Sequence, residues 1–330
     1  MTGSEHINEY FNGRAFMVLS AVMLVVTAAL ALSMGCLPPS VGENGAFFSF
    51  GGSLFEPSTL SASVNVLCLL ATGGIMLALN KVFTYVRSMT HLFVSAFFLL
   101  QMANPQGLVA LNPGTLLCLV AAIATLPLFA SFQDGHAQRS IFLIFALAAA
   151  GSMFHYGFLV LMPAFFLGFL NMGVLNLKGL LAILFGLVTP FWIVLGLGIA
   201  TPADFVAPAI SGVWQLAGGI WPNVLLIVAA VTALLGIVLA VMNLPTIMNY
   251  RMQTRVYNAF FVITLAMAVI AMCLDSRDVA VFLPLLGLMV SVQVAQAHTL
   301  RASMRYRYVF LLLFIAACIA SAAANLMIPS

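Results

Sequence analysis

The side chains of this chain that could do chemistry are few, and they gather at breaks in long apolar runs: Glu43, Glu56, His155, Asp204, Asp275, Arg277 and Asp278. A carboxylate such as Glu43 or Glu56, with His155 beside it, could act as general base toward an acceptor hydroxyl. Arg277 or His155 could hold a phosphate or diphosphate leaving group through charge-assisted hydrogen bonds, with Asp275 and Asp278 completing a substrate-binding turn. Each residue also has a plainer reading. Asp275, Arg277 and Asp278 are the polar contents of a tight turn, Glu43 and Glu56 are solvated loop acids, and His155 is a hydrogen-bonded residue at a helix junction.

The absences are as informative. None of the eight acids lies in the middle of an apolar run, where a proton- or sodium-coupled carrier usually keeps one. There is no Walker A pattern. Cys36, Cys68, Cys118, Cys273 and Cys318 stand singly, with no spacing suited to zinc, so neither a metal nor another cofactor is expected. Asn65, Asn80, Gln101, Asn243, Gln293 and Gln296 lie within the runs, where hydrogen bonding between helices accounts for them.

These residues must be positioned by membrane helices. Charged residues make up 6% of the chain and hydrophobic ones 64%, with a mean hydropathy of +1.17. A soluble domain has about a quarter of its residues charged. The expected fold is all-α: one polytopic transmembrane bundle over residues 1–330, without a soluble domain. About eleven spans are expected, roughly 9 to 13, some short or broken. They run Ala15–Leu37, Leu60–Asn80, His91–Asn104, Pro113–Phe132, Ser140–Phe154, Gly157–Asn176, Gly179–Ala200, Asn223–Asn243, Asn258–Leu274, Val279–His298 and Tyr308–Met327. The first run is too long, and its start too acidic, for a signal peptide.

Ten of the eleven Lys and Arg residues fall in alternate gaps: Arg14, Lys81, Arg87, Arg139, Lys178, Arg251, Arg255, Arg301, Arg305 and Arg307. Arg277 falls opposite. The positive-inside bias puts those ten and the N-terminus in the cytoplasm, and places His155, Glu43, Glu56, Asp204, Asp275 and Asp278 outside. Dispersed this way, the basic residues make no nucleic-acid footprint. The bilayer is the expected partner. Arg251, Arg255, Arg301, Arg305 and Arg307 could attract anionic headgroups or a lipid diphosphate, although the orientation bias alone explains them.

Two stretches interrupt the spans. In His91–Phe132, Asn104-Pro105-Gln106-Gly107 and Asn112-Pro113-Gly114 break the helix; an external surface loop is the simpler reading, a protein-buried break the other. Ser140–Asn176 is too long for one span across a ~30 Å core, so a pair of short helices turning at His155 is expected. The loop Pro38–Thr59, glycine-rich and aromatic, and the loop bearing Trp214 and Trp221 are expected to rest on the interface.

Three stretches carry a resemblance: SMFHYGFLVLMP within Ser140–Leu170, GLLAILFGLVTPFWIVLGL over Gly179–Leu197, and AVFLPLLGLMVSVQVAQAHTLRASMRYRYVF over Ala280–Phe310. Together with the helix spacing they resemble an uncharacterised family of multi-pass inner-membrane proteins of Bacteroidota. FHYGFLVLMP is also distantly similar to a segment of integral-membrane polysaccharide polymerases. The acids after the first helix are similar in position to the catalytic acid of multi-pass glycosyltransferases that use lipid-linked sugars. The paired acidic motif of those transferases and the large arginine-bearing loops of the polymerases are missing. Three functions follow as expectations: an inner-membrane component of cell-envelope biogenesis associated with other membrane subunits, an enzyme acting on lipid-linked glycans at the periplasmic face, or a transporter of a neutral or lipidic substrate.

Overall fold

The computed structural model describes residues 10–39, 45–48, 55–86, 90–208, 224–300 and 306–327. Among them the secondary structure is helical throughout. The helices are α1 (Arg14–Ser33), α2 (Thr59–Phe83), α3 (Leu92–Met102), α4 (Pro113–Ala130), α5 (Gln138–Phe154), α6 (Leu161–Asn171), α7 (Leu177–Gly196), α8 (Val224–Ile247), α9 (Met252–Leu274), α10 (Val279–Leu300) and α11 (Tyr306–Met327). Tight 3-10 turns occupy Pro105–Leu108, Tyr156–Val160 and Pro202–Asp204. Helices are the form open to segments this apolar, because in a bilayer each backbone amide must be satisfied without water.

Among the described residues, eight helices are long and apolar enough to cross a membrane, while Leu92–Met102, Gln138–Phe154 and Tyr156–Asn171 are shorter. The chain is a multi-pass membrane protein; of the about eleven spans expected, some short or broken, eight among the described residues are full length and three are shorter, which puts the count of full spans below the expected range. The physical reason lies in the interruptions. Pro105 and Gly107 end α3 after 11 residues, about 16 Å of helix, and His155 divides the long run after Ser140.

Hydrogen bonds fix which helix ends share a side. The Asn12 carbonyl accepts the His91 amide at 3.2 Å, the Tyr257 hydroxyl donates to the Phe129 carbonyl at 3.0 Å, and the Gln133 amide donates to Met172 at 3.3 Å. These ties gather Arg14, Lys81, Arg139, Lys178, Arg251 and Arg255 at one end, called here the arginine end. Arg277 lies at the other, with His155, as the alternation of charge predicts. Arg87, Arg301 and Arg305 lie outside the described residues, as does the side chain of Arg307.

α10 is the axis. An 18-residue stretch of it is buried throughout, against 11% of the corresponding stretch of α7. α3, α4, α8 and α9 surround it. Lipid supplies no hydrophobic drive between helices, so close approach and hydrogen bonds must hold them. A Cβ on Gly236 of α8 would lie 2.6 Å from Val290 of α10, and one on Gly186 of α7 would lie 2.8 Å from the Phe142 carbonyl of α5. At the arginine end, Phe129 stacks on Tyr257 with centroids 4.1 Å apart, and Phe83, Phe260 and Phe261 pack edgewise around Phe129 or Tyr257.

The break after α3 is buried in protein, which overturns the simpler reading of a surface loop. Asn104 and Asn112 are both buried. The freed backbone groups find partners on two other helices, α2 and α11. Asn65 Nδ2 donates to the Gly107 carbonyl at 2.9 Å, Ser61 Oγ accepts the Leu111 amide at 2.8 Å, and Ser321 Oγ and Asn325 Nδ2 both donate to Ala103 at 3.0 Å.

Candidate functional site

His155 lies where α5 ends, as expected of a pair of short helices turning there. Its amide donates to the Gly151 carbonyl at 3.0 Å, closing the last turn. Helix ends leave carbonyls without intrahelical partners. Here the Ser152 carbonyl accepts the Ala46 amide at 3.1 Å, and Met153 accepts those of Phe47 and Phe48 at 3.2 and 3.0 Å. Gly45 allows this approach, since a Cβ there would lie 2.2 Å from the Met153 carbonyl oxygen. Phe48 stacks on Phe154 at 5.1 Å, and Phe47 packs against Phe191 and Phe205 at 6.0 and 5.9 Å. The segment after α7 completes the cap: the Val206 amide donates to Ala46 at 3.1 Å, and the Tyr156 hydroxyl donates to the Val206 carbonyl.

Beneath this cap His155 is buried. Its backbone is extended, and its Nδ1 accepts the Gly157 amide at 2.9 Å, so the ring itself caps the turn Tyr156–Val160. A nitrogen that accepts a hydrogen bond carries no proton, so the neutral ring holds its hydrogen on Nε2. That nitrogen lies 3.6 Å from Asp278 Oδ2, within ion-pair range and beyond a hydrogen bond. The Asp278 carbonyl accepts the amides of Val281 and Phe282, which puts Asp278 at the N-terminus of α10, where the helix dipole favours a carboxylate.

A second link joins the same corner. Pro284 has no amide hydrogen, so the Ala280 carbonyl four residues earlier loses its helical donor. Asn112 Nδ2 supplies one at 3.2 Å, while Asn112 Oδ1 accepts the Gly114 amide at 2.8 Å and caps α4. The contact is tight: a Cβ on Gly114 would lie 2.3 Å from the Val281 carbonyl oxygen, and one on Gly157 would lie 2.9 Å from Val281 Cγ1. Three chain reversals, at residues 112–114, 155–157 and 278–281, thus converge on the first turn of α10.

Of the residues singled out in the sequence, the structure brings together His155 and Asp278. Glu56 is exposed in the turn before α2. Glu43 lies outside the described residues, as do Trp214 and Trp221. Asp275 Oδ1 accepts the Arg277 amide at 3.3 Å within the turn between α9 and α10, and the Arg277 side chain is exposed. Asp204 Oδ2 accepts both the amide and the hydroxyl of Thr201, at 2.7 and 2.8 Å. Those two hydrogen bonds hold its carboxyl below the usual carboxylate range.

Sequence reasoning placed Asn112 and Gly157 at helix breaks but gave neither a role in joining helices. The signal for Asn112 was present in Asn112-Pro113-Gly114, a helix-capping residue followed by proline at the first helical position. Among the in-span amides, Asn65 and Gln101 do bond other segments, the latter to Pro284 at 3.4 Å, and Asn243, Gln293 and Asn258 link α8, α10 and α9. Asn80 instead accepts the Val86 amide just beyond its own helix. Among the described residues, no three His, Cys, Asp or Glu side chains come together as metal ligands.

With Nδ1 engaged by the backbone and Nε2 facing a carboxylate, the His155 ring fastens a junction. No protein-family model, curated protein or solved structure matches this chain.

Proposed function

We propose that the protein is a membrane-embedded subunit or scaffold of a cell-envelope assembly, lying in the bacterial inner membrane with its arginine end in the cytoplasm. One observation carries this reading: the buried His155–Asp278 pair is spent on holding helix ends together. A general base needs a nitrogen or oxygen within reach of the proton that it removes. Here the ring nitrogens face the Gly157 amide and Asp278, under a cap made by residues 45–48 and 205–206. The resemblance to inner-membrane proteins of Bacteroidota supports the location, and the concentration of Lys and Arg at one end supports the orientation.

A scaffold also needs a surface for its partners. α7 offers one, with Leu177, Leu184, Phe185 and Trp192 all more than half exposed. Photo-crosslinking residues placed at Phe185 and Trp192 in the native membrane should capture discrete protein partners in addition to lipid.

The competing reading is an enzyme on lipid-linked glycans at the periplasmic face, with Glu43, Glu56 and His155 as catalytic groups and Asp275, Arg277 and Asp278 binding substrate. Deletion of the gene, followed by analysis of surface glycans and lipid-linked intermediates, separates the two. If lipid-linked intermediates accumulate, and His155→Ala reproduces this while inserting normally, the enzyme reading replaces the scaffold. Transport of a neutral or lipidic substrate is a third reading. Its support is the buried break at residues 103–112, since discontinuous helices line the binding sites of many carriers.

A further inference from the structure

At the arginine end a cavity of about 700 Å³ opens beside the N-terminus of α9, lined among the described residues by Thr84, Asn249, Tyr250, Arg251 and Thr254. That volume falls among small-molecule sites, roughly 300–1,000 Å³. The first amides of α9 have no intrahelical acceptor, and Arg251, at the capping position, makes no side-chain cap to them. The positive end of the helix dipole therefore faces the cavity together with the Arg251 guanidinium. Residues 251, 254 and 255 follow one stripe of the helix. Arg255, which does not line the cavity, has its Nε buried and without a hydrogen-bond partner.

Acids that could neutralise this face are lacking among the described residues. Asp134 is the one described acid at this end, and its Oδ1 accepts the His136 amide at 2.9 Å. Thr84, just past the end of α2, adds a hydroxyl and is held at φ 46 and ψ 45, a left-handed conformation that β-branched residues rarely adopt. The cavity thus combines a guanidinium, a helix N-terminus and neutral hydrogen-bonding side chains.

We infer that this cavity is a binding site for a phosphate group, presented either by the headgroup of an anionic phospholipid or by a soluble phosphate compound. A guanidinium pairs two-pronged with phosphate oxygens, and the free amides and the Thr84 and Thr254 hydroxyls accommodate the rest. The inference is independent of the scaffold reading.

The test uses the full chain purified into nanodiscs of phosphatidylcholine containing either phosphatidylglycerol or none, with retained lipid counted by native mass spectrometry. Inorganic phosphate and pyrophosphate are then titrated against thermal unfolding in pure phosphatidylcholine. Phosphatidylglycerol should be retained preferentially, and Arg251→Gln should weaken that retention about tenfold, the scale of one charge-assisted hydrogen bond. Arg251 is exposed, so the variant should fold; elution as a single species matching wild type checks this. Lys178→Gln, which removes an exposed charge elsewhere at the same end, should leave retention unchanged. Stabilisation by pyrophosphate without lipid retention, lost in Arg251→Gln, would assign the site to a soluble phosphate. Equal losses in Arg251→Gln and Lys178→Gln, or neither lipid preference nor phosphate stabilisation in the wild type, would overturn the inference.

Discussion

The link from Asn112 to α10 can be dissected by substitution, because one side chain does two separable jobs. Its Oδ1 caps α4 through Gly114, and its Nδ2 satisfies the carbonyl that Pro284 strands at Ala280. Loss of an N-cap costs about 1 kcal/mol, and a buried carbonyl left unpaired costs about 1–3 kcal/mol. Asn112→Ala should therefore destabilise the fold by about 2–4 kcal/mol. Asn112→Ser retains a capping hydroxyl but cannot reach Ala280, so it should lose only the carbonyl part. Pro284→Ala restores the helical amide and with it an internal donor for the Ala280 carbonyl. It should therefore be more favourable in the Asn112→Ser background than in the wild type, by about 1 kcal/mol, within the usual range for coupled neighbours. The assay is reversible unfolding in mixed micelles of increasing SDS fraction, applied to the four proteins of the cycle. Coupling within about 0.3 kcal/mol of zero, the additivity expected of unconnected sites, would refute the claim that Asn112 completes the hydrogen bonding that the proline interrupts.

The same assay addresses the histidine junction: His155→Ala leaves the Gly157 amide without its acceptor and Asp278 without the ring beside it, and should cost about 1–3 kcal/mol, the range for a buried polar group left unpaired. His155→Asn, which can still accept the Gly157 amide, should cost less; equal losses would assign the stabilisation to the Asp278 contact alone. Gly114→Ala places a methyl group 2.3 Å from the Val281 carbonyl oxygen and should prevent accumulation of folded protein, whereas Gly74→Ala, where a Cβ meets open space, should be tolerated; size-exclusion profiles of the two variants decide this. The Thr201–Asp204 turn should respond to acid in a defined direction. Its carboxyl is held below the unfolded value, so its contribution is complete above that value, about 3.9, and is lost as pH falls through the lower folded value. Protection factors of the Thr201 and Asp204 amides, taken relative to intrinsic exchange at each pH, should hold through neutral and mildly acidic pH and fall only below the ordinary aspartate range. A fall near pH 6 would contradict that assignment.

The division at His155 was legible because a histidine and a glycine interrupt a run too long for one span. The broken segment after α3 was legible as a break, from Pro105, Gly107 and Pro113, while its depth was not. Whether such a segment lies at the surface or within the bundle depends on whether other helices bring donors and acceptors to it. Ser61, Asn65, Ser321 and Asn325 do so from distant parts of the chain. The span count erred for a related reason: hydropathy marks a segment as apolar whether it forms a full helix or a short one continued by a 3-10 turn, as at Leu92–Leu108 and Tyr156–Asn171. Glu56, Arg277 and His155 looked alike as polar residues at segment ends, yet the first two are exposed and the third is buried.

The sequence by itself determined that the chain is an all-α membrane bundle and that its basic residues collect at one end. Both properties arise from each residue's own exchange between water and lipid, which composition and spacing record directly. The tertiary structure alone decided that α10 is the axis, that Asn112 serves a carbonyl freed by Pro284, and that His155 meets Asp278 beneath a cap. Those outcomes depend on groups far apart in the chain meeting at hydrogen-bonding distance, and lipid, which cannot satisfy them itself, makes such meetings the condition for burying them.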